Sequence, residues 1–456
     1  MSQQTSVTDL GTKPVGPLLL QYAIPAIIAT AASSLYSIID SIFIGQGVGP
    51  MAISGLALTT PLMALTAAFG AMIGVGASTL LSVKLGERDY ETAQNILGNV
   101  LVLNISMGIL LGIVLLLVLD PILYFFGASP DTIPYARDFM RVILIGNVVT
   151  HLYLGLNAML RAASKPRQAM YATIFTVIIN IILAPIFIYA FNWGIEGAAL
   201  ATVLAQTIVL VWQFYLFSRP GEFIRIRKGT FRLKRRIVRE SLAIGMSPFL
   251  INLCACLVVI IVNRSMVLYG GDLAVGAYGI VNRLVFLFVM IVIGLNQGMQ
   301  PIAGYNFGAR HYDRLIQVLK YSIAGATAVM ITGFVVGMFF SYECARAFTT
   351  DPDLIDKAGR GMRLVVMCFP LVGMQIVTTS FFQSIGHAGK SIFLSLTRQL
   401  LFLVPLLLIL PTWWGIKGVW MSMPVADGLA SILAFTLLVK QMRKFKQANQ
   451  STSTPV

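Results

Sequence analysis

Twelve apolar runs, each long enough to cross a lipid bilayer, dominate this chain of 456 residues. They fall at 17–44, 54–82, 94–119, 134–160, 169–191, 195–217, 242–268, 275–303, 317–341, 360–385, 391–412 and 415–439. About 20 helical residues cross the hydrocarbon core. Inside it, every backbone N–H and C=O must pair within the protein, which leaves helices and closed barrels. These runs are continuous rather than alternating, so they read as helices and not barrel strands. The expected fold is therefore an all-α polytopic membrane protein with twelve transmembrane helices. Composition agrees: 57% of residues are hydrophobic and 11% charged, against about 25% charged in soluble domains.

The formal net charge is +15, which by itself would suggest a nucleic-acid partner. Its placement argues otherwise. Nine basic residues, from Arg219 to Arg239, lie between spans 6 and 7. Others follow spans 2 (Lys84, Arg88), 4 (Lys165, Arg167) and 8 (Arg310, Arg314) and the last span (Arg443, Lys444, Lys446). The alternate loops carry acids such as Asp131, Asp351 and Asp353. This asymmetry is the positive-inside pattern. It places the chain in the cytoplasmic (inner) membrane with both termini cytoplasmic, membrane lipids as neighbours and no nucleic acid. Contact of the basic segments with anionic lipid is an additional expectation. The polar N-terminus lacks a cleavage pattern behind a short apolar core, so no removable signal is expected.

The chain is also written twice. "KLGERDYETAQNILGN" after span 2 resembles "NFGARHYDRLIQVLKY" after span 8. Gly86, Arg88 and Tyr90 match Gly308, Arg310 and Tyr312 at an offset of 222. "WGIEG" at 193–197 matches "WGIKG" at 414–418, and Pro25 matches Pro248. Internal repeats of this kind define architecture. Six spans per copy give both copies the same orientation, so these are parallel repeats, two six-helix lobes around a central cavity. The expected divisions are a tail at 1–16, an N-lobe at 17–218, a basic linker at 219–241, a C-lobe at 242–440 and a tail at 441–456. A single chain already supplies both lobes, so a monomer is expected.

An ionisable residue inside a span marks function by default. Asp40 is the clearest case: no basic residue lies between Lys13 and Lys84. Asn180 in span 5 and Thr202 and Gln206 in span 6 carry groups able to hydrogen-bond a buried acid, and Pro25 loosens the ladder of span 1. Asp427, opposite Gln206 in the repeat, is a possible second site. Arg283 beside Asn282, with Gln297, Gln300 and Gln383, are candidates to line a cavity and meet substrate. The cysteines and histidines show no metal-ligand spacing, and no P-loop, dinucleotide fingerprint or nucleophile–base set occurs. The expectation is a transporter and not an enzyme. It needs no cofactor and no metal beyond its coupling ion. Asp40 suits H+ and also Na+.

Three stretches carry a family likeness: "GLNQGMQPIAGYNFGAR" at 294–310, "KLGERDYETA" at 84–93 and "FFQSIGHAGKS" at 381–391. They resemble the multidrug and toxic compound extrusion (MATE) family, in its DinF/MepA-like branch. The resemblance implies two six-helix lobes forming a V, and export of organic cations against protons or sodium. It implies a first-lobe cation site that maps to Asp40, Asn180 and Thr202, with Asn157 as an addition. It implies a span-1 proline, here Pro25, that bends with protonation. Relatives often carry an acid in an "N-x-x-x-D-P" pattern in span 5; this chain has "NIILAP" and Ala184 there. Span 7 has no acid. One carboxylate in the first-lobe site favours protons over sodium. The expected function is thus a proton-coupled antiporter for amphipathic, cationic small molecules working by alternating access. A sodium-coupled antiporter and a flippase for a lipid-linked or anionic substrate are the alternatives.

Overall fold

The computed structural model describes residues 3–453, and every regular element among them is a helix. In chain order these are α1 (Gln3–Thr12), α2 (Val15–Gly47), α3 (Pro50–Gly86), α4 (Tyr90–Leu117), α5 (Leu119–Phe125), α6 (Ile133–Ile145), α7 (Asn147–Ala162), α8 (Pro166–Pro185) and α9 (Gly194–Ser218). The second copy runs α10 (Arg235–Gly270), α11 (Asp272–Gly308), α12 (Tyr312–Phe339), α13 (Ser341–Arg346), α14 (Pro352–Val365), α15 (Phe369–Ser384), α16 (Ala388–Leu396), α17 (Val404–Trp414) and α18 (Ile416–Ser453). Wide π-type turns at Ile186–Ala190 and Thr397–Leu403 interrupt spans 5 and 11.

Among the described residues, eleven helices, counting continuous runs, are long and apolar enough to span. The twelfth expected span, 134–160, is the pair α6 and α7, bent by 57° at Gly146. Span 10 is interrupted at the corresponding place by a tight turn at Val366–Cys368. α2 runs unbroken through Pro25. The protein is an integral membrane protein of many helices, as its apolar runs require.

The repeat is visible in backbone conformation. Arg88 and Arg310 both take positive φ (61° and 58°), as do Ser164 and Gly386, and Gly194 and Gly415. Positive φ is unfavourable for a side-chain-bearing residue. Two arginines adopting it 222 residues apart therefore mark one turn used twice.

The helices form two compact units. Among the described residues, unit 1 contains 3–12 and 28–249, and unit 2 contains 13–27 and 250–453. These divisions run through helices and not through the linker as the sequence suggested. The cause is close packing where side chains are absent. A Cβ on Gly298 would meet Ala23 backbone at 2.6 Å, and one on Gly294 would meet Ile27 Cα at 2.7 Å. These contacts fasten the first part of α2 to α11. Likewise Gly76 and Gly245 fit the start of α10 against α3 in unit 1.

The terminal segments differ from simple polar tails. Val7 and Leu10, one turn apart on α1, are buried, which is why residues 3–12 form a packed helix. α18 continues past 440, with Phe445 buried and stacked on Tyr312 and Gln441 bonded to Lys390. The 219–241 segment is pinned along α4. The Asn99 amide nitrogen donates to the Arg232 carbonyl at 3.1 Å, and the Lys234 N–H donates to Asn99 Oδ1 at 2.8 Å. Glu222, buried, pairs with Lys165.

Gly298→Val should cost about 1–3 kcal/mol through overpacking against Ala23 and lower the melting temperature of detergent-purified protein. Gly279→Ala, at a glycine whose added Cβ would meet nothing within 4 Å, should leave it unchanged. Equal melting curves for the two variants would contradict the close fit.

Candidate functional site

Asp40 sits on the later part of α2, within unit 1. It is 7% exposed, and its Oδ1 is buried without a hydrogen-bond partner among the described residues. It forms no ion pair with any of them. A buried carboxylate without a partner is costly in a low dielectric. A proton or a bound cation removes that cost.

One turn earlier on the same helix face stands Tyr36, because residues four apart stack along a helix. Its hydroxyl lies 2.8 Å from Thr202 Oγ1. The Asn180 amide donates to Thr202 Oγ1 at 3.0 Å and to the Tyr36 oxygen at 3.4 Å. Thr202 in turn donates to the Ala198 carbonyl at 3.2 Å. In the Tyr36–Thr202 contact either hydroxyl can donate. Three spans (α2, α8 and α9) thus bring Tyr36, Asn180 and Thr202 into one network beside the acid.

The sequence singled out Asp40, Asn180 and Thr202; it missed Tyr36. The signal was the spacing in "LYSIID", which sets a phenol one helical turn before the carboxylate. Ala184 is fully buried at the place where relatives often carry a second acid. The network around Asp40 therefore offers one carboxylate with hydroxyls and an amide. No cluster of three or more His, Cys, Asp or Glu capable of holding a metal occurs among the described residues.

Other expected residues stand elsewhere. The Asn157 amide nitrogen donates to the Ala169 carbonyl at 3.1 Å and to Thr173 Oγ1 at 3.3 Å, while its oxygen accepts from Arg161. It anchors Arg161 and does not join the Asp40 network. Gln206 on α9 accepts from Thr150 Oγ1 on α7 at 2.6 Å. Asp427 accepts from Arg398 Nε at 2.8 Å, so it already has a resident cation. The sequence reading passed over Arg398, although a basic residue within the run 391–412 was itself a signal. Asn282 and Arg283 are exposed on α11, Gln297 is half-buried there, and Gln383 is buried on α15. Gln300 has a partner.

The repeat makes the asymmetry of the site explicit. The spacing that sets Pro248 opposite Pro25 sets Asn263 opposite Asp40. The first copy thus holds an acid where the second holds its amide. At the Asp427 position the order is reversed, with Gln206 in the first copy.

Comparison with known proteins agrees with this architecture. The chain is 26% identical over 420 residues to the multidrug export protein MepA of Staphylococcus haemolyticus, covering 92% of each chain. It is 26% identical over 425 residues to MepA of Staphylococcus aureus strain MSSA476, covering 93% of this chain and 94% of the relative. Among solved structures, a MOP superfamily transporter from Pyrococcus furiosus superposes with a TM-score of 0.90 at 25% identity, over 96% of this chain and 98% of that one. A MATE transporter in a bent conformation gives 0.92 at 24% identity, over 98% and 99%, which shows the shared fold. The MatE family model matches residues 25–186 and 244–409, one match in each copy of the repeat. The chain belongs to the MatE family.

Proposed function

We propose that this protein is a secondary antiporter that exports amphipathic, cationic small molecules across the cytoplasmic membrane in exchange for protons. The observation that carries this reading is Asp40: a buried carboxylate inside a span, with no basic partner among the described residues, beside a hydroxyl–amide network. The named activity of the MepA relatives, multidrug export, supports the substrate class.

The mechanism follows from charge. With Asp40 anionic, the burial cost favours whatever cation can reach it. An organic cation and a proton compete for the same oxygens and cannot both neutralise one carboxylate. Loading a proton from outside expels the organic cation; losing that proton to the cytoplasm restores the acid for the next substrate. Exchange becomes transport only if the two loaded forms favour different conformations, because a ligand shifts an equilibrium only by its differential affinity. Pro25 is where α2 can yield, since proline removes a ladder hydrogen bond at that point. Tyr36, Asn180 and Thr202 hold the later part of α2 to α8 and α9. They tune how Asp40 meets its cation. A single carboxylate favours protons; a sodium ion would find one anionic ligand where a hard cation prefers several oxygens.

Ethidium uptake into everted vesicles, whose cytoplasmic face is outward, tests the reading, with proton and sodium gradients imposed separately. Wild type should export under the proton gradient alone, and Asp40→Asn should abolish that export while reaching the membrane in normal amount. Export driven only by sodium would replace the ion and keep the site; export by Asp40→Asn equal to wild type would sink the reading. Tyr36→Phe should retain proton-driven export at a several-fold lower rate. It removes the hydrogen bond to Thr202, at a cost of about 1 kcal/mol in stability, readable as a lower melting temperature. An unchanged efflux rate would remove Tyr36 from the mechanism.

A further inference from the structure

The second unit contains an ion pair that the proton exchange at Asp40 does not use. Arg398 lies on the wide turn Thr397–Leu403, and its Nε donates to Asp427 Oδ1 on α18 at 2.8 Å. Both residues lie within spans. The Asp427 side chain is 12% exposed and that of Arg398 is 32% exposed.

Three features set this pair apart from a structural staple. First, only one N–H of the guanidinium is used; its remaining donors meet no described residue. A buried pair retained for stability normally has its remaining donors and acceptors satisfied. Second, a partly exposed guanidinium inside a span faces protein interior or a water-filled cavity, because contact of its free donors with hydrocarbon is too costly. Third, the Ser431 hydroxyl, one turn beyond Asp427 on the same helix face, is 2% exposed and has no partner. Ser422 and Thr436 on that helix donate to the carbonyl four residues earlier, at 2.7 and 2.9 Å. Ser431 does not. Gln399 Oε1, beside Arg398 in sequence, is also buried without a partner. An unused hydroxyl, that of Ser431, thus stands one helical turn from Asp427 on the face that carries the pair.

We propose that Arg398 and Asp427 recognise zwitterionic substrates, Arg398 taking a carboxylate and Asp427 the organic cation. A side-by-side ion pair is the electrostatic complement of a zwitterion. When the ligand's two charges engage, each protein charge exchanges one partner for another of the same sign. The site remains neutral throughout, so no uncompensated charge is created in the low-dielectric interior. The planar guanidinium can hold a carboxylate through two parallel hydrogen bonds, and Ser431 can donate another. A simple cation gains nothing here, because Arg398 already occupies Asp427. Asp40, which lacks a basic partner, is where a simple cation binds. This assignment rests on the export reading and extends it to a second class of substrate.

The test uses two dyes that differ in one group: rhodamine 6G, a cationic ethyl ester, and rhodamine 19, its free acid and a zwitterion at neutral pH. Binding to the purified full-length protein is read by fluorescence anisotropy, and uptake by reconstituted vesicles is read separately. In Arg398→Gln/Asp427→Asn, which removes both charges at near-constant shape, rhodamine 19 should bind about tenfold more weakly. Rhodamine 6G should hold within about twofold. Ser431→Ala, a smaller change, should weaken rhodamine 19 alone, and it decides the matter if the double variant fails to fold. Equal loss of both dyes, or loss of neither, overturns the assignment and leaves the pair a structural tie. Wild-type protein that binds both dyes but transports neither would end the export reading, while the binding ratio still decides the role of Arg398. Wild-type protein that binds rhodamine 6G and not rhodamine 19 overturns the proposal directly.

Discussion

The cost of an unanswered charge in a hydrocarbon phase organises this molecule. A span tolerates an ionisable group only when something neutralises it or water reaches it. Three of the spans, 54–82, 94–119 and 169–191, avoid the problem by carrying no Asp, Glu, Lys, Arg or His. Elsewhere the structure shows distinct answers. Asp427 is neutralised internally by Arg398. Arg161 is held by the amide oxygen of Asn157 at the end of α7, a short reach from the basic loop that follows. Asp40 alone of these has neither a fixed cation nor a hydrogen bond to its buried oxygen among the described residues. In the proposed mechanism its neutralisation is supplied by a proton or an organic cation that comes and goes, the property a coupling site needs.

The repeat gives this contrast its meaning. Two copies of one six-span plan share their turns closely enough that Arg88 and Arg310 adopt the same strained backbone conformation. Against that common frame the charged positions diverge. The first copy has Asp40 where the second has Asn263, and Gln206 where the second has Asp427. Gln206 is satisfied by Thr150 and Asp427 by Arg398. In the proposed mechanism, twinned backbones with different intramembrane charges let one copy exchange a cation while the other reads a different charge pattern.

Much of the fold was legible because the bilayer imposes a one-dimensional rule: continuous apolar runs of sufficient length become spans. All twelve could be placed that way, and so could the repeat. The bend in span 4 was not, because Gly146 in "LIGNV" has no proline to announce it, and the break depends on packing against Val203 of α9. The unit boundaries were hidden for a similar reason. They depend on Gly294 and Gly298 meeting Ile27 and Ala23, a contact between residues some 270 positions apart that composition cannot register. At the site, Asp40, Asn180 and Thr202 stood out as polar groups in apolar runs. Tyr36 did not, since a tyrosine in a span reads as ordinary apolar surface until its hydroxyl is seen to have partners. Asn157 looked similar to Asn180 by type and differs by which neighbour claims its amide. Arg398 was readable by the same rule that exposed Asp40.

The division of the units adds a mechanical consequence. It falls between Ile27 and Ile28 in α2 and between Phe249 and Leu250 in α10, shortly after Pro25 and Pro248. The early part of α2 is held by backbone-close contacts to α11 within unit 2. Its later part is held by Tyr36–Thr202 and by Gly47 against Ile188 within unit 1. The helix is continuous, yet its two parts answer to different sets of contacts, and the residue near the change lacks a backbone donor. A missing ladder bond lowers the cost of bending there relative to any other point of the helix. In the proposed mechanism the cation on Asp40 alters the later part of α2, whose contacts lie in unit 1. Any resulting change of helix direction is transmitted along the chain through Pro25 to a part fixed in unit 2. Placing the exchangeable charge about four turns beyond the proline on the same helix gives a local neutralisation leverage over that weak point.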